Sequence, residues 1–271
     1  RARIVAMAVY GLLPLPSQLL SAGRWGGLVV YATLPLAVHL LRRLAGLDSS
    51  LADDTRPDAD AVHTVSRQRL VRIGAQLSLL CATAIAFAPS FAFVMVVAGV
   101  TLGLATLLVG TRWRPAATIA GMSILGVAVG LLANLPWSAS LTGSDGWTSI
   151  VGVPVATSRS LGLTTLAEFG IGRSRFAVLA LGFYLPVFAA PLVARSWRFA
   201  WAVRAASLVA VFGAIAVLDD RSALPVRMPE PGILLVPVGL GIALAAGCLA
   251  AAFETDVLKG SFGWRQPLGV L

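Results

Sequence analysis

Lysine is almost missing from this chain, with Lys259 the only one. Charge of either sign is scarce, at 12% of 271 residues. A soluble globular domain carries about a quarter, so an ordinary water-solvated surface is excluded. Cysteine is limited to Cys81 and Cys248, which sit in separate apolar blocks and have no metal-type spacing. Histidine is limited to His39 and His63, too far apart in sequence to read as a metal pair. His39 precedes Arg42 by three residues, which places it near a membrane boundary rather than at a ligand site. The opening residues lack the charged, apolar and small-residue order of a signal peptide. An initiator Met is also lacking, and Pro267–Leu271 reads as an apolar block cut short, so both ends are expected to be truncations of a longer chain. No internal repeat of fixed period is evident.

What is present is apolar. Hydrophobic residues make up 58% of the chain, and the mean hydropathy is +0.86. They arrive in blocks of bilayer-crossing length, roughly 17–25 residues, and about eight can be counted. The blocks run from Ile4 to Leu20, Gly27 to Leu41, Val71 to Ala88, Phe91 to Gly110 and Pro115 to Leu135. Three more run from Phe176 to Ala194, Phe199 to Leu218 and Ile233 to Phe253. The expected fold is therefore an all-α, polytopic transmembrane bundle forming one region over 1–271. Pro14 and Pro16 should end the first helix early, and Pro35 should kink the second. Pro89-Ser90 is all that separates the third block from the fourth.

Two connections are long. Residues 44–70 hold five aspartates and form a polar loop. Residues 136–173 are rich in Gly, Ser and Thr, and Thr165-Leu166-Ala167-Glu168 fits a capping box. A short helix is expected to begin near Thr165.

The net charge of +9 resides in arginines placed between apolar blocks, not in one basic face, which argues against nucleic acid. With eight crossings, 15 of the 21 cations fall on the side of Arg1 and 6 on the other. Positive charge is retained on the cytoplasmic side. The Arg1 end and the 44–70 loop are thus expected in the cytoplasm, with 136–173 outside and the whole in the plasma membrane.

Chemistry-bearing motifs are few. Gly99-x-x-x-Gly103 and Gly126-x-x-x-Gly130 are small-xxx-small patterns and read as packing within the bundle. Asp58-Ala59-Asp60 spells the D-x-D used by nucleotide-sugar enzymes to hold a divalent metal, but the loop has no room for the required α/β domain. A solvated acidic loop is the better reading, and no metal or cofactor is expected in 1–271. Span centres hold almost no charge, so ion-coupled transport gains little support. Gln18, Gln76 and Asn134 are the polar exceptions beside His39. The outward loop is the remaining candidate. Asn134, Trp137 and Trp147 could meet a sugar face or lipid headgroup, and Asp145 or Glu168 could act as a general base. An aromatic belt with a capping carboxylate accounts for the same residues.

Gly23-Arg24-Trp25 with Tyr31 and Pro35, the Leu135-Pro136-Trp137 exit, and Phe262-Gly263-Trp264-Arg265-Gln266 resemble segments of large actinobacterial membrane proteins. Those proteins carry a family 2 glycosyltransferase domain ahead of a many-span region. The resemblance implies a membrane-embedded part of a glycosyltransferase in cell-envelope polysaccharide or glycolipid assembly. Its catalytic domain would precede Arg1, and its partners would be the lipid bilayer and a lipid-linked sugar. Arg24 and Trp25 join the candidate binding residues on that basis. A transporter or flippase subunit for envelope lipids, and a structural anchor, are the other expectations.

Overall fold

The computed structural model describes residues 1–47, 67–110, 113–152, 161–170 and 181–254, and every regular element among them is helical. In chain order the helices are α1 (Ala2–Leu12), α2 (Leu15–Ser21), α3 (Trp25–Leu44), α4 (Arg67–Phe87), α5 (Phe91–Leu108) and α6 (Trp113–Ala133). They continue with α7 (Gly146–Val151), α8 (Leu163–Ala167), α9 (Leu185–Val193), α10 (Ser196–Asp220) and α11 (Pro231–Ala252). Seven segments of these are long and apolar enough to cross a bilayer, α1 and α2 counting together as one. The chain is a polytopic helical membrane protein. Leu79, Phe87, Leu108 and Leu192 are all more than 60% exposed on its flanks. Such side chains meet acyl chains at no cost, whereas in water they would be a liability.

The Pro89-Ser90 break reverses the chain. Close approaches at glycine fix the directions. A Cβ built on Gly103 would meet Ala116 O at 3.0 Å and Ala120 Cβ at 3.4 Å, and Gly99 abuts Ser123, so α5 and α6 are antiparallel. Gly126 lies against Leu77, and a Cβ on Gly130 would meet Ala82 N at 3.0 Å, so α6 runs parallel to α4. Both small-xxx-small stripes thus pack α6 inside the bundle, one onto each neighbour. Interfaces without side-chain bulk let backbones close up where lipid offers no hydrophobic drive.

α11 is the axis of the bundle. It is apolar all round, and 17 of its 22 residues are buried, as expected for a helix without a solvent face. α10 packs along it at Gly241, whose Cβ would fall 2.7 Å from Ala205 O. α1 packs on the same helix through Ala2, Ala6 and Gly247.

These pairings sort the chain ends onto two faces. Arg1, Leu44, Arg67, Leu108, Trp113, Ser196 and Ala252 lie at one, the near face. Arg24, Ala88, Asn134, Asp220 and Glu230 lie at the far face. Chain direction requires one more crossing between α6, which ends at the far face, and α10, which starts at the near one. The sixth expected span, Phe176 to Ala194, covers that interval. Its second half is α9, whose nine residues fall short of a full span, and residues 171–180 lie outside the described ones. Of the 44–70 loop, residues 48–66 lie outside as well, including Asp58-Ala59-Asp60.

The first span is broken. Leu13 adopts φ −57°, ψ 140°, the extended geometry imposed on a residue before proline. Pro14 has no N–H, so the carbonyl four residues back, that of Tyr10, loses its helical donor. Pro35 does the same to Tyr31 within α3, which nonetheless runs on unbroken. The two tyrosines repair each other. Tyr10 Oη donates to Tyr31 O at 2.7 Å, and Tyr31 Oη donates to Tyr10 O. Their rings stack at 4.1 Å and 7°.

At the near face, Arg204 and Arg198 are buried at 2% and 6% exposure. Arg204 Nε donates to Thr106 Oγ1 of α5 at 2.9 Å, and its guanidinium lies 5.0 Å from the Trp201 ring centroid. Arg198 lies over Trp197. Arg204 is therefore a packed interior group, and stacking on indole suits its weakly hydrated, planar cation.

Candidate functional site

The far face gathers the residues singled out in the outward loop. α6 ends at Ala133, and Asn134 follows it, with Nδ2 donating to Gly130 O at 2.8 Å and to Ala82 O of α4 at 2.9 Å. That second bond joins two parallel helices at a level where Gly130 has already let them approach. Asn134 is a cross-link. The Leu135–Pro136 peptide is cis, and a 3₁₀ turn, Trp137–Thr142, follows. Trp137 is 45% exposed.

Asp145 precedes α7. Its carbonyl accepts from Thr148 Oγ1 at 2.6 Å and from Ser149 N at 3.0 Å, while its exposed carboxylate makes no capping bond. Trp147 is committed to structure. Its Nε1 donates to Arg227 O at 2.9 Å, and its ring meets Phe93 edge to face at 5.8 Å. It ties the loop after α10 to the start of α5. Arg24 forms an ion pair with Glu230 at 3.4 Å, joining the start of α3 to the start of α11. Trp25 stands 70% exposed beside it, at the depth where aromatic belts lie.

The capping box expected at Thr165 does not form. α8 begins two residues earlier, with Gly162 (φ +79°) at its N-cap position. The two amides just before the helix are held by a carboxylate from another helix. Leu161 N donates to Asp220 Oδ1 at 2.6 Å and Gly162 N to Asp220 Oδ2 at 3.0 Å. Thr165 lies inside the helix instead, and Glu168 follows its last residue. Asp219 Oδ1 accepts from Met228 N at 3.1 Å. The adjacent aspartates thus fasten two connecting segments to the end of α10 with charge-assisted bonds.

Asp219 and Asp220 were not singled out in the sequence. A carboxylate pair closing an apolar block reads as solvated flank, and nothing local says which distant amides it will meet. Among the described residues neither the Asp145 nor the Glu168 carboxylate makes a side-chain hydrogen bond or ion pair, and no group of three His, Cys, Asp or Glu is placed to hold a metal ion.

Comparison with known proteins gives no matching family model, no matching curated protein and no matching solved structure. The far face therefore speaks for itself. It offers an exposed indole at Trp137, an exposed carboxylate at Asp145 and a frame of fixed loops behind them. Such a surface can hold a polar headgroup or sugar against an aromatic face.

Proposed function

We propose that residues 1–271 are the membrane-embedded part of a glycosyltransferase acting in cell-envelope polysaccharide or glycolipid assembly. In this reading the donor-binding catalytic domain lies outside these residues, the bundle sits in the plasma membrane, and the near face is cytoplasmic. The far face then meets the lipid-linked sugar. The observation that carries the reading beyond the motif resemblance is the fastened far-face frame. Asp219, Asp220, Trp147 and the Arg24–Glu230 pair hold the connections in place, while Trp137 and Asp145 remain exposed. A frame that spends its polar groups on backbone bonds leaves a fixed platform.

Alanine at Trp137, Asp145 and Glu168, one at a time in the full-length protein, tests the role of that platform. Membranes expressing each variant at wild-type level are assayed for glycolipid product by mass spectrometry. Loss of product of about a hundredfold or more in at least one variant is expected of a group that handles substrate. Undiminished product in all three removes the far face from the reaction.

Orientation has its own test. Of the described arginines, eleven are at the near face, and Arg24, Arg221 and Arg227 are at the far one. That asymmetry is what the positive-inside rule acts on. Cysteine placed at Asp145 is expected to react with an impermeant maleimide from outside intact cells, and cysteine at Arg114 only after permeabilisation. The reverse pattern rejects the orientation.

A second reading, a transporter or flippase subunit for envelope lipids, is favoured by one feature. The first span is discontinuous within the bundle, and interrupted helices are common where transporters hold and pass their cargo. Uptake or scrambling of a fluorescent lipid-linked saccharide by proteoliposomes of this chain, without any donor nucleotide, would favour it over the first.

A further inference from the structure

The α1–α2 break is joined to the bundle in an unusual way. Of the seven spans, the one containing it is the least buried, and α1 buries no residue completely. α1 rests closely on α11, through small residues at Ala2 and Ala6 against Gly247 and through Leu13 against Gly239 at its far end. Its tie to α3 is the reciprocal tyrosine pair. The helix on the other side of Pro14 behaves differently. α2 buries Leu15 and Leu19, the latter closing on Gly27 of α3. One half of the span is anchored by buried leucines, and the other by close small-residue packing along α11 and two hydrogen bonds.

We propose that α1 is a hinged half-helix pivoting at Leu13–Pro14, and that Tyr10 and Tyr31 are its latch. The latch is specific because prolines create both of its acceptors. Tyr10 O and Tyr31 O are the two carbonyls that Pro14 and Pro35 deprive of helical donors. Each lies inside the span, Tyr31 about 9 Å from the start of α3 at 1.5 Å per residue. With the latch shut, no polar group of the pair is left bare. Swinging α1 away bares two carbonyls and two hydroxyls at once, and hydrocarbon offers them nothing. The open state therefore requires water at that depth. The device has two states, shut and dry or open and wet, with the seam between α1 and α11 as the opening. It is independent of what the far face binds.

Hydrogen–deuterium exchange of the full chain in nanodiscs, read by mass spectrometry, tests the latch. Phenylalanine keeps the stacked ring and removes the hydroxyl. In Tyr10→Phe and in Tyr31→Phe, exchange of peptides covering 2–12 and 239–247 is expected to rise about tenfold, the worth of one such bond. Peptides from α4 to α6 are expected to stay at the wild-type rate. Pro35→Ala supplies the decisive comparison. Because α3 is continuous through position 35, alanine there returns an N–H to Tyr31 O and makes the Tyr10 hydroxyl dispensable. Adding Tyr10→Phe to Pro35→Ala is then expected to change exchange of α1 by less than about twofold. The proposal is overturned if the tyrosine variants exchange like wild type, if exchange rises equally across α4 to α6, or if Tyr10→Phe has its full effect in the Pro35→Ala background. Should a tyrosine variant not accumulate, Pro35→Ala alone must still accelerate α1.

Discussion

Leucine in place of Gly241 will prevent α10 from seating on α11, and folded protein will be lost. The Cβ alone would lie 2.7 Å from Ala205 O and 2.8 Å from Val209 Cγ2. The first of these is main chain, so relief requires moving a whole helix rather than turning a side chain. Overpacking a tight interior costs about 1–3 kcal/mol and sometimes more. The upper end applies here because α11 is also the support for α1, α3 and α9. Size-exclusion chromatography in detergent and a thermal melt are the measurements. Loss of the monodisperse peak, or a destabilisation of about 3 kcal/mol, is the expected result. Gly121→Leu is the control. That position is exposed, with nothing within 4 Å of its Cβ, and its variant will stay within about 0.5 kcal/mol of wild type. A Gly241→Leu protein that elutes and melts normally would refute the helix pairing described for α10 and α11.

Arg204 gives the second large effect. Its side chain is buried, stacked on Trp201 and bonded to Thr106. Arg204→Ala removes the packed stem and the Nε–H bond to Thr106 Oγ1, at a cost of about 3 kcal/mol. Arg204→Lys separates charge from shape. An ammonium keeps the charge but has neither a planar face for Trp201 nor a fixed Nε for Thr106. Lysine is therefore expected to recover less than half of the loss, as read from denaturation in mixed micelles. If lysine restores wild-type stability, charge alone is what the site needs, and the stacked geometry is incidental.

The spans were legible because the bilayer imposes one rule on length and polarity together. Blocks such as Phe91–Gly110 and Ile233–Phe253 announce themselves, and the structure places helices α5 and α11 there. Pro14 announced the break in the first span for an equally local reason. What the sequence concealed was pairing. Pro35 was read for its effect on its own helix, as a kink. Nothing local showed that Tyr10 would supply the missing donor from another helix. A clue was present in Tyr10-x-x-x-Pro14 and Tyr31-x-x-x-Pro35, a tyrosine four residues before each proline. It gains meaning only once the two segments are known to touch. The capping box at Thr165 failed because α8 starts two residues earlier, at Leu163, so Thr165 is already helical and Glu168 N donates to Thr164 O. Asp220, far along the chain, fixes the amides just before it. Nothing local marked Arg204 as interior, since a lone arginine in the first third of an apolar block is usually interfacial. Asp145 and Glu168 were singled out by residue type alone, and neither carboxylate has a partner among the described residues that would give its role a geometry.

The central position of α11 has a consequence for biogenesis. Its chain segment is made last among the described spans, and α1 is made first. At roughly 5–20 residues per second, the N-terminal half-helix waits on the order of 10–50 s in the membrane before the surface it rests on leaves the ribosome. Through that interval the nascent bundle has no axis. Whatever shields the small-residue flank of α1 from premature partners, translocon or chaperone, must hold on until the end of α11 has been synthesised.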